Sequence, residues 1–294
     1  MRTALIALLA LPLAGCFQAT TVIRVKADGS GTIEQRTLLT ETAVDQLRTL
    51  AILGGGSADS VDPTSEAQAR ALAASIGPGV AYVSSTPITI EKSQGRDTLY
   101  TFSDVSQLRI SEQPSLPGGV KLPASVGGDS QPISFALDRK PDGNIVLRII
   151  VPRPAIFPTG PNGEPQAPSL QQITMVKQLL AGARLTVAIE PDGRLVQTSS
   201  PFVDGNRVTL IDVDIDRASA DPDLAKKLQS PKTQEETKAA INSVPGLKIS
   251  LDPEITIEFA PDRRPGTGRP TYTSKGTPCV RGATLSGSPI HDRL

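Results

Sequence analysis

The sequence predicts an α+β fold: an antiparallel, twisted sheet built from Asp-Gly hairpins, with helices packed on one face. Three observations predict it. Asp-Gly recurs at residues 28–29, 142–143, 192–193 and 204–205, each time between runs rich in Val, Ile, Leu and Thr. Asp-Gly flanked by such runs signals a hairpin, because glycine accepts positive φ without penalty. Between the hairpins lie segments with apolar residues at spacings of 3 and 4, the period of an amphipathic helix. Aromatic residues make up only 3% of the chain and Trp is absent, so the core has to be built from Val, Ile, Leu and Ala.

Taken in order, residues 20–26 (TTVIRVK) read as a strand, the turn ADGSG follows, and TIEQRTLLT reads as the returning strand. Asp28 is the sole acid of that turn, which argues for a turn and against an EF-hand loop with acids at alternate positions. Thr40 can cap a helix carrying Val44, Leu47, Leu50 and Ala51 on one side, ended by Gly54-Gly55-Gly56. A second helix is expected over 64–76, stopped by Gly77-Pro78-Gly79, and a third over 170–181. Two short ones follow at 222–229 and 233–242. Further strands are expected at 80–84, 88–92, 97–102 and 247–259. Residues 153–169 carry five prolines and read as a loop with polyproline character. Residues 261–294 lack periodicity and hold six basic and two acidic residues, the composition of a disordered tail.

The first residues speak to location. Arg2 is followed by an apolar run from Ala4 to Leu11, then Pro12 and Leu13-Ala14-Gly15-Cys16. A basic start, a short apolar stretch and small residues before a cut describe a secretory signal peptide. The run is shorter than the roughly 20 residues needed to span a bilayer. The tetrad resembles the bacterial lipobox, with Leu13 at −3, Ala14 at −2, Gly15 at −1 and Cys16 at +1. That resemblance implies diacylglyceryl transfer to the Cys16 thiol, cleavage before it and acylation of the new amine, palmitate among the acyl groups. Two or more acyl chains anchor a protein stably. The expected organisation is a signal peptide at 1–15, one lipoprotein domain at 16–260 and the tail. The expected location is the cell envelope, lipid-anchored, facing the periplasm or the exterior.

Composition narrows the chemistry. Thirty basic residues balance thirty acidic ones, which gives no footprint for nucleic acid. With Cys16 acylated, Cys279 has no partner in the chain, so no disulfide framework is expected. The single histidine, His291, stands in the tail, which removes Ser-His-Asp and Cys-His arrangements from a folded site. No GxSxG, HExxH, P-loop or Rossmann pattern is present. The strongest constellation is Asp212, Asp214 and Asp216. As a strand these alternate with Ile211, Val213 and Ile215, placing three carboxylates on one face about 6.5–7 Å apart. A half-buried strand with a solvated acidic face explains them better than a Ca²⁺ site, since no further acid cluster completes the ligand set. Asp97 and Asp104 are expected at a strand and its end, Tyr82 and Tyr100 as core bulk with wet hydroxyls, and Arg24, Arg109 and Arg148 facing solvent.

The segments CFQATTVIRVKADGSGTIEQRTLL, GVAYVSSTPITI and GRDTLYTFSDVSQLRI, with VPGLKISLDPEITIEF near the end, resemble a group of uncharacterised bacterial lipoproteins over roughly residues 16–259. The opening lipobox-strand-DGSG-strand unit is also similar to the LppM-type lipoprotein domain of actinobacteria, which implies lipid-related binding. The function expected is a non-enzymatic binding or scaffolding module without a cofactor or metal. Its partners are the bilayer, through acylated Cys16, and a lipid, small-molecule or envelope-protein ligand. The alternative is a carboxylate-dependent envelope hydrolase.

Overall fold

In the computed structural model, the residues described here are 17–53, 55–110, 132–151, 174, 177, 181–229 and 233–262. The chain runs β1 (Phe17–Val25), β2 (Gly31–Thr40), α1 (Glu41–Leu53), α2 (Glu66–Ile76), β3 (Val80–Ile90) and β4 (Ser93–Phe102). It continues with β5 (Ser134–Arg139), β6 (Ile145–Ile150), β7 (Arg184–Pro191), β8 (Gly193–Thr198), β9 (Val203–Asp204) and β10 (Arg207–Asp214). Then come α3 (Ile215–Ser219), α4 (Leu224–Gln229), α5 (Gln234–Asn242), β11 (Leu247–Ile249) and β12 (Glu254–Pro261).

The strands form two sheets. The larger has eight strands in the order β11-β10-β7-β1-β2-β4-β3, with β9 beside β10; the smaller has four, β5-β6-β12-β8. The class is mixed α+β with an antiparallel-dominated sheet, as the sequence predicts. Three features depart from that expectation. β1 and β7 pair in parallel at the centre of the large sheet. A second sheet takes most of the place foreseen for helices. The helices themselves are dispersed: α2 joins the main core through Ala73 and Ile76, α1 belongs to a separate cluster with Leu39 and Val61, and α3 and α4 contribute to a third.

The reason lies in the apolar pattern. β1 puts Ile23 and Val25 on one face, joined there by Ile33, Tyr100 and Phe102 from β2 and β4. The smaller sheet answers with Leu147, Ile149, Ile255, Ile257 and Phe259, all essentially inaccessible to water. Two half-apolar sheets bury each other's faces more fully than scattered short helices can. Each such Ile or Phe gains about 1.5–3 kcal/mol on burial.

The Asp-Gly positions do different jobs. Residues 28–29, 142–143 and 204–205 lie between antiparallel neighbours. Asp192-Gly193 does not: β7 belongs to the large sheet and β8 to the small one. This turn hands the chain from one sheet to the other. Gly193 adopts φ +152°, and a Cβ there would stand 2.3 Å from the Ala260 carbonyl oxygen of β12. The close backbone approach at this corner needs glycine.

The predicted strands 80–84 and 88–92 are one strand, β3, which passes through Pro87. Proline is tolerated because β3 is an edge strand and its missing N–H costs no pairing. The acidic stretch 211–216 is not one strand either: β10 ends at Asp214, whose side chain caps α3 by accepting from the Arg217 N–H. The Pro-rich loop at 153–169, the tail beyond 262 and most of the predicted helix 170–181 lie outside the described residues. So do Cys16, Cys279 and His291.

Candidate functional site

At one end of the large sheet a row of side chains crosses neighbouring strands. Arg24 of β1 is the register partner of Thr32 on β2 and of Glu190 on β7. Arg207 of β10 pairs in register with Asp204 of β9. Arg24 and Ile23 are adjacent in β1, so Arg24 stands on the face opposite the core. These residues, with Lys26, Asp192, Asn206 and Asp262, line an open groove of about 630 Å³.

Glu190 is the centre of the row. Its Oε2 accepts from Arg24 Nε at 2.9 Å and its Oε1 from Arg207 Nε at 2.7 Å. Arg24 also binds Glu34 on β2. Partial burial pushes the Glu190 carboxyl up, but Arg207 and Arg24 outweigh it and hold the group below the usual carboxylate range. Arg24 itself is raised, chiefly by its hydrogen bond to Glu34. Asn206 shapes the groove from the turn between β9 and β10. Its Nδ2 donates to the Pro191 carbonyl at 2.6 Å, and its Oδ1 accepts from the Leu195 N–H at 2.9 Å. It thereby staples the corner between the two sheets to the adjoining hairpin.

A second, apolar crevice of about 70 Å³ lies on the core side of the large sheet, towards Phe17. Ala19 and Thr21 of β1, Gln35 and Thr37 of β2, and Leu185 and Val187 of β7 form its floor, and Leu72 and Ile76 of α2 bound it.

The residues singled out from sequence fall as follows. Arg24 faces solvent as expected, its side chain 43% exposed, but it is not isolated: it is paired with Glu34 and Glu190 in the groove. Arg109 borders the apolar crevice and donates to the Ser106 and Leu108 carbonyls. Arg148 pairs with Asp138 at 2.6 Å. Asp28 accepts from the Ser30 hydroxyl and N–H, which lower it and close the turn. Asp104 repeats that arrangement with Ser106. Asp97 binds Arg36 through both oxygens, at 2.6 and 2.7 Å.

Asp212, Asp214 and Asp216 do not converge. Asp212 accepts from the Thr186 hydroxyl, Asp214 pairs with Arg184, and Asp216 accepts from the Gly182 N–H. No group of three potential metal ligands occurs among the described residues.

The Tyr100 hydroxyl is not wet: it is fully buried and donates to the Ala69 carbonyl at 2.8 Å. Burial pushes that phenol up to about 12. Tyr82 meets it edge to face at 6.2 Å. Glu190, Arg207 and Asn206 were not legible as site residues. Their one local signal is nearness to an Asp-Gly turn: Glu190 precedes Pro191-Asp192-Gly193, Asn206 follows Asp204-Gly205, and Arg207 is one residue further on.

No helix among the described residues is long and apolar enough to cross a membrane, which says nothing of strands. No protein-family model matches the chain, and no curated protein matches it. Among solved structures, it is similar to the NMR structure of the folded domain of the Mycobacterium tuberculosis LppM protein. The identity is 9% and the TM-score 0.31, over 83% of this chain and 90% of that one.

Proposed function

We propose that this chain is an envelope lipoprotein whose folded body is a binding module, tethered to a bilayer through acylated Cys16. One observation carries the reading. The tetrad Leu13-Ala14-Gly15-Cys16 follows a basic and then apolar leader, and it stands directly before Phe17, where β1 begins. Residues 1–15 are the cleaved signal and 16–260 the working domain, which β12 and the groove extend through Pro261 to Asp262, and the residues beyond form a solvated tail.

The groove supports binding over catalysis. It presents both signs of charge on an open face, which suits a polar ligand carrying both charges: a small molecule or a segment of an envelope protein. A carboxylate-dependent glycan hydrolase needs one carboxyl held protonated near neutral pH. The described carboxyls whose ionisation is displaced (Asp28, Glu66, Asp104, Glu190, Asp221 and Glu258) all move the other way, and are kept ionised.

The test is detergent-phase partition of the full chain, expressed in a bacterium that processes lipoproteins, beside Cys16→Ser. The wild type enters the detergent phase and the variant stays in the aqueous phase. Equal partition of the two overturns the reading.

A further inference from the structure

The register of the large sheet sorts its residues to two ends. Phe17 pairs with Leu39, Gln18 with Arg184, and Thr40 with Ser93. Ile90 also faces Ser93, and Asp214 faces Arg184. One end of the sheet therefore collects Phe17, the start of α1, the turn after Ile90 and the start of α3. The other end collects Val25, Gly31, Pro191 and the groove. Phe17 and Val25 are separated by about 26 Å, at roughly 3.3 Å per strand residue.

The tether is short. Cys16 is the chain neighbour of Phe17, and consecutive Cα atoms lie about 3.8 Å apart. Phe17 is already paired within β1 and packs against the α1 cluster. A lipid-anchored Cys16 thus leaves no linker between bilayer and sheet. The same end carries apolar side chains with no cover among the described residues. Ile90 is 47% exposed at the β3–β4 turn, and Ile52, which follows Ala51 of the same cluster that Phe17 packs against, is 59% exposed. The Glu41 N–H at the start of α1 donates to the Lys92 carbonyl, which joins the helix to that turn.

We infer that the Phe17 end of the large sheet, with Ile52 and Ile90, lies against the lipid bilayer. This holds the Arg24–Glu190–Arg207 groove about 25 Å away, opening to the aqueous space. The inference rests on the proposed lipidation of Cys16. An apolar side chain at the headgroup boundary gains burial that water denies it, and the missing linker removes the freedom to tumble. The protein is then an oriented post, and its groove is available to soluble ligands or to partners reaching from outside this membrane.

The sequence contains no Trp, so single Trp substitutions are clean reporters. Ile52→Trp, Ile90→Trp and Val203→Trp are prepared as the full chain, and intact mass establishes acylation of each before reconstitution in phosphatidylcholine vesicles with brominated acyl chains. Val203 is 43% exposed on β9, at the groove end. The expected result is at least twofold quenching and a blue shift for Ile52→Trp and Ile90→Trp, with Val203→Trp unquenched. Acylated protein with all three reporters unquenched overturns the orientation while leaving the anchor intact. If the acylated protein is then dimeric in detergent, the exposed isoleucines are assigned to a second copy. Absence of acylation instead overturns the lipoprotein reading itself.

Discussion

Arg24 and Glu190 are 166 residues apart in sequence, yet they are register partners on parallel neighbours, and Arg24 Nε donates to Glu190 Oε2 at 2.9 Å. This contact joins the first strand of the domain to the strand that leads into the second sheet. It has a pH consequence. Glu190 is held below the usual carboxylate range in the folded chain, so its contribution is fully present above that range and is lost as pH falls through the folded value. The stability difference between wild type and Glu190→Gln, read by denaturant unfolding, is expected to be constant from pH 7 to about 5.5 and to shrink below about pH 4. A difference that grows on acidification contradicts this.

Gly193 and Gly205 both adopt positive φ, but they differ in space. A Cβ at Gly193 meets the Ala260 carbonyl oxygen at 2.3 Å, whereas one at Gly205 meets nothing within 4 Å. Gly205→Ala is expected to cost about 1 kcal/mol, from backbone strain alone. Gly193→Ala is expected to cost at least about 2 kcal/mol, because β12 has to move as well. Chemical denaturation of the two variants gives the comparison.

Arg96 is buried and makes no hydrogen bond to a carboxylate among the described residues, although its charge helps to keep the Glu66 carboxyl ionised. Its guanidinium donates to the Ser85 hydroxyl and carbonyl at 2.9 Å and also to the Thr64 carbonyl. The fork clamps the loop before α2 onto β3. Lysine keeps the charge but not the planar fork. Arg96→Lys is therefore expected to lose about 2 kcal/mol, with faster amide exchange at residues 62–66.

The three aspartates of 212–216 are held by separate partners, so millimolar Ca²⁺ is expected to leave the unfolding temperature unchanged. Asp214→Ala removes the cap of α3 and the Arg184 ion pair, and is expected to cost about 1 kcal/mol. Asp212→Ala is expected to cost less than about 0.5 kcal/mol, since its contacts are Thr186 and a 4.0 Å approach of Lys248. A calcium-dependent rise abolished by Asp212→Ala restores the metal reading.

What was legible in the sequence was local. The α1 period, the Gly77 stop after α2 and the short helix over 233–242 each depend on residues within one or two turns. The turn residues were legible for the same reason. What was not legible depends on long-range register. Asp-Gly at 192–193 looks like any other hairpin until β12 is placed beside it. The parallel pairing of β1 with β7 has no local signature. Glu190 becomes a site residue only because Arg24 and Arg207 arrive from strands on either side. The aspartates misled because β10 ends before the alternating pattern does, and Asp214 is spent on a cap.

Anchoring, location and orientation all depend on Cys16, and the most direct measurement is the intact mass of the detergent-extracted protein from its host membrane, beside Cys16→Ser. The expected wild-type mass equals the chain from Cys16 onward plus diacylglyceryl and an N-acyl group, with the variant carrying no acyl mass. A wild-type mass without acyl groups contradicts it, removing the anchor, the envelope location and the orientation of the groove together.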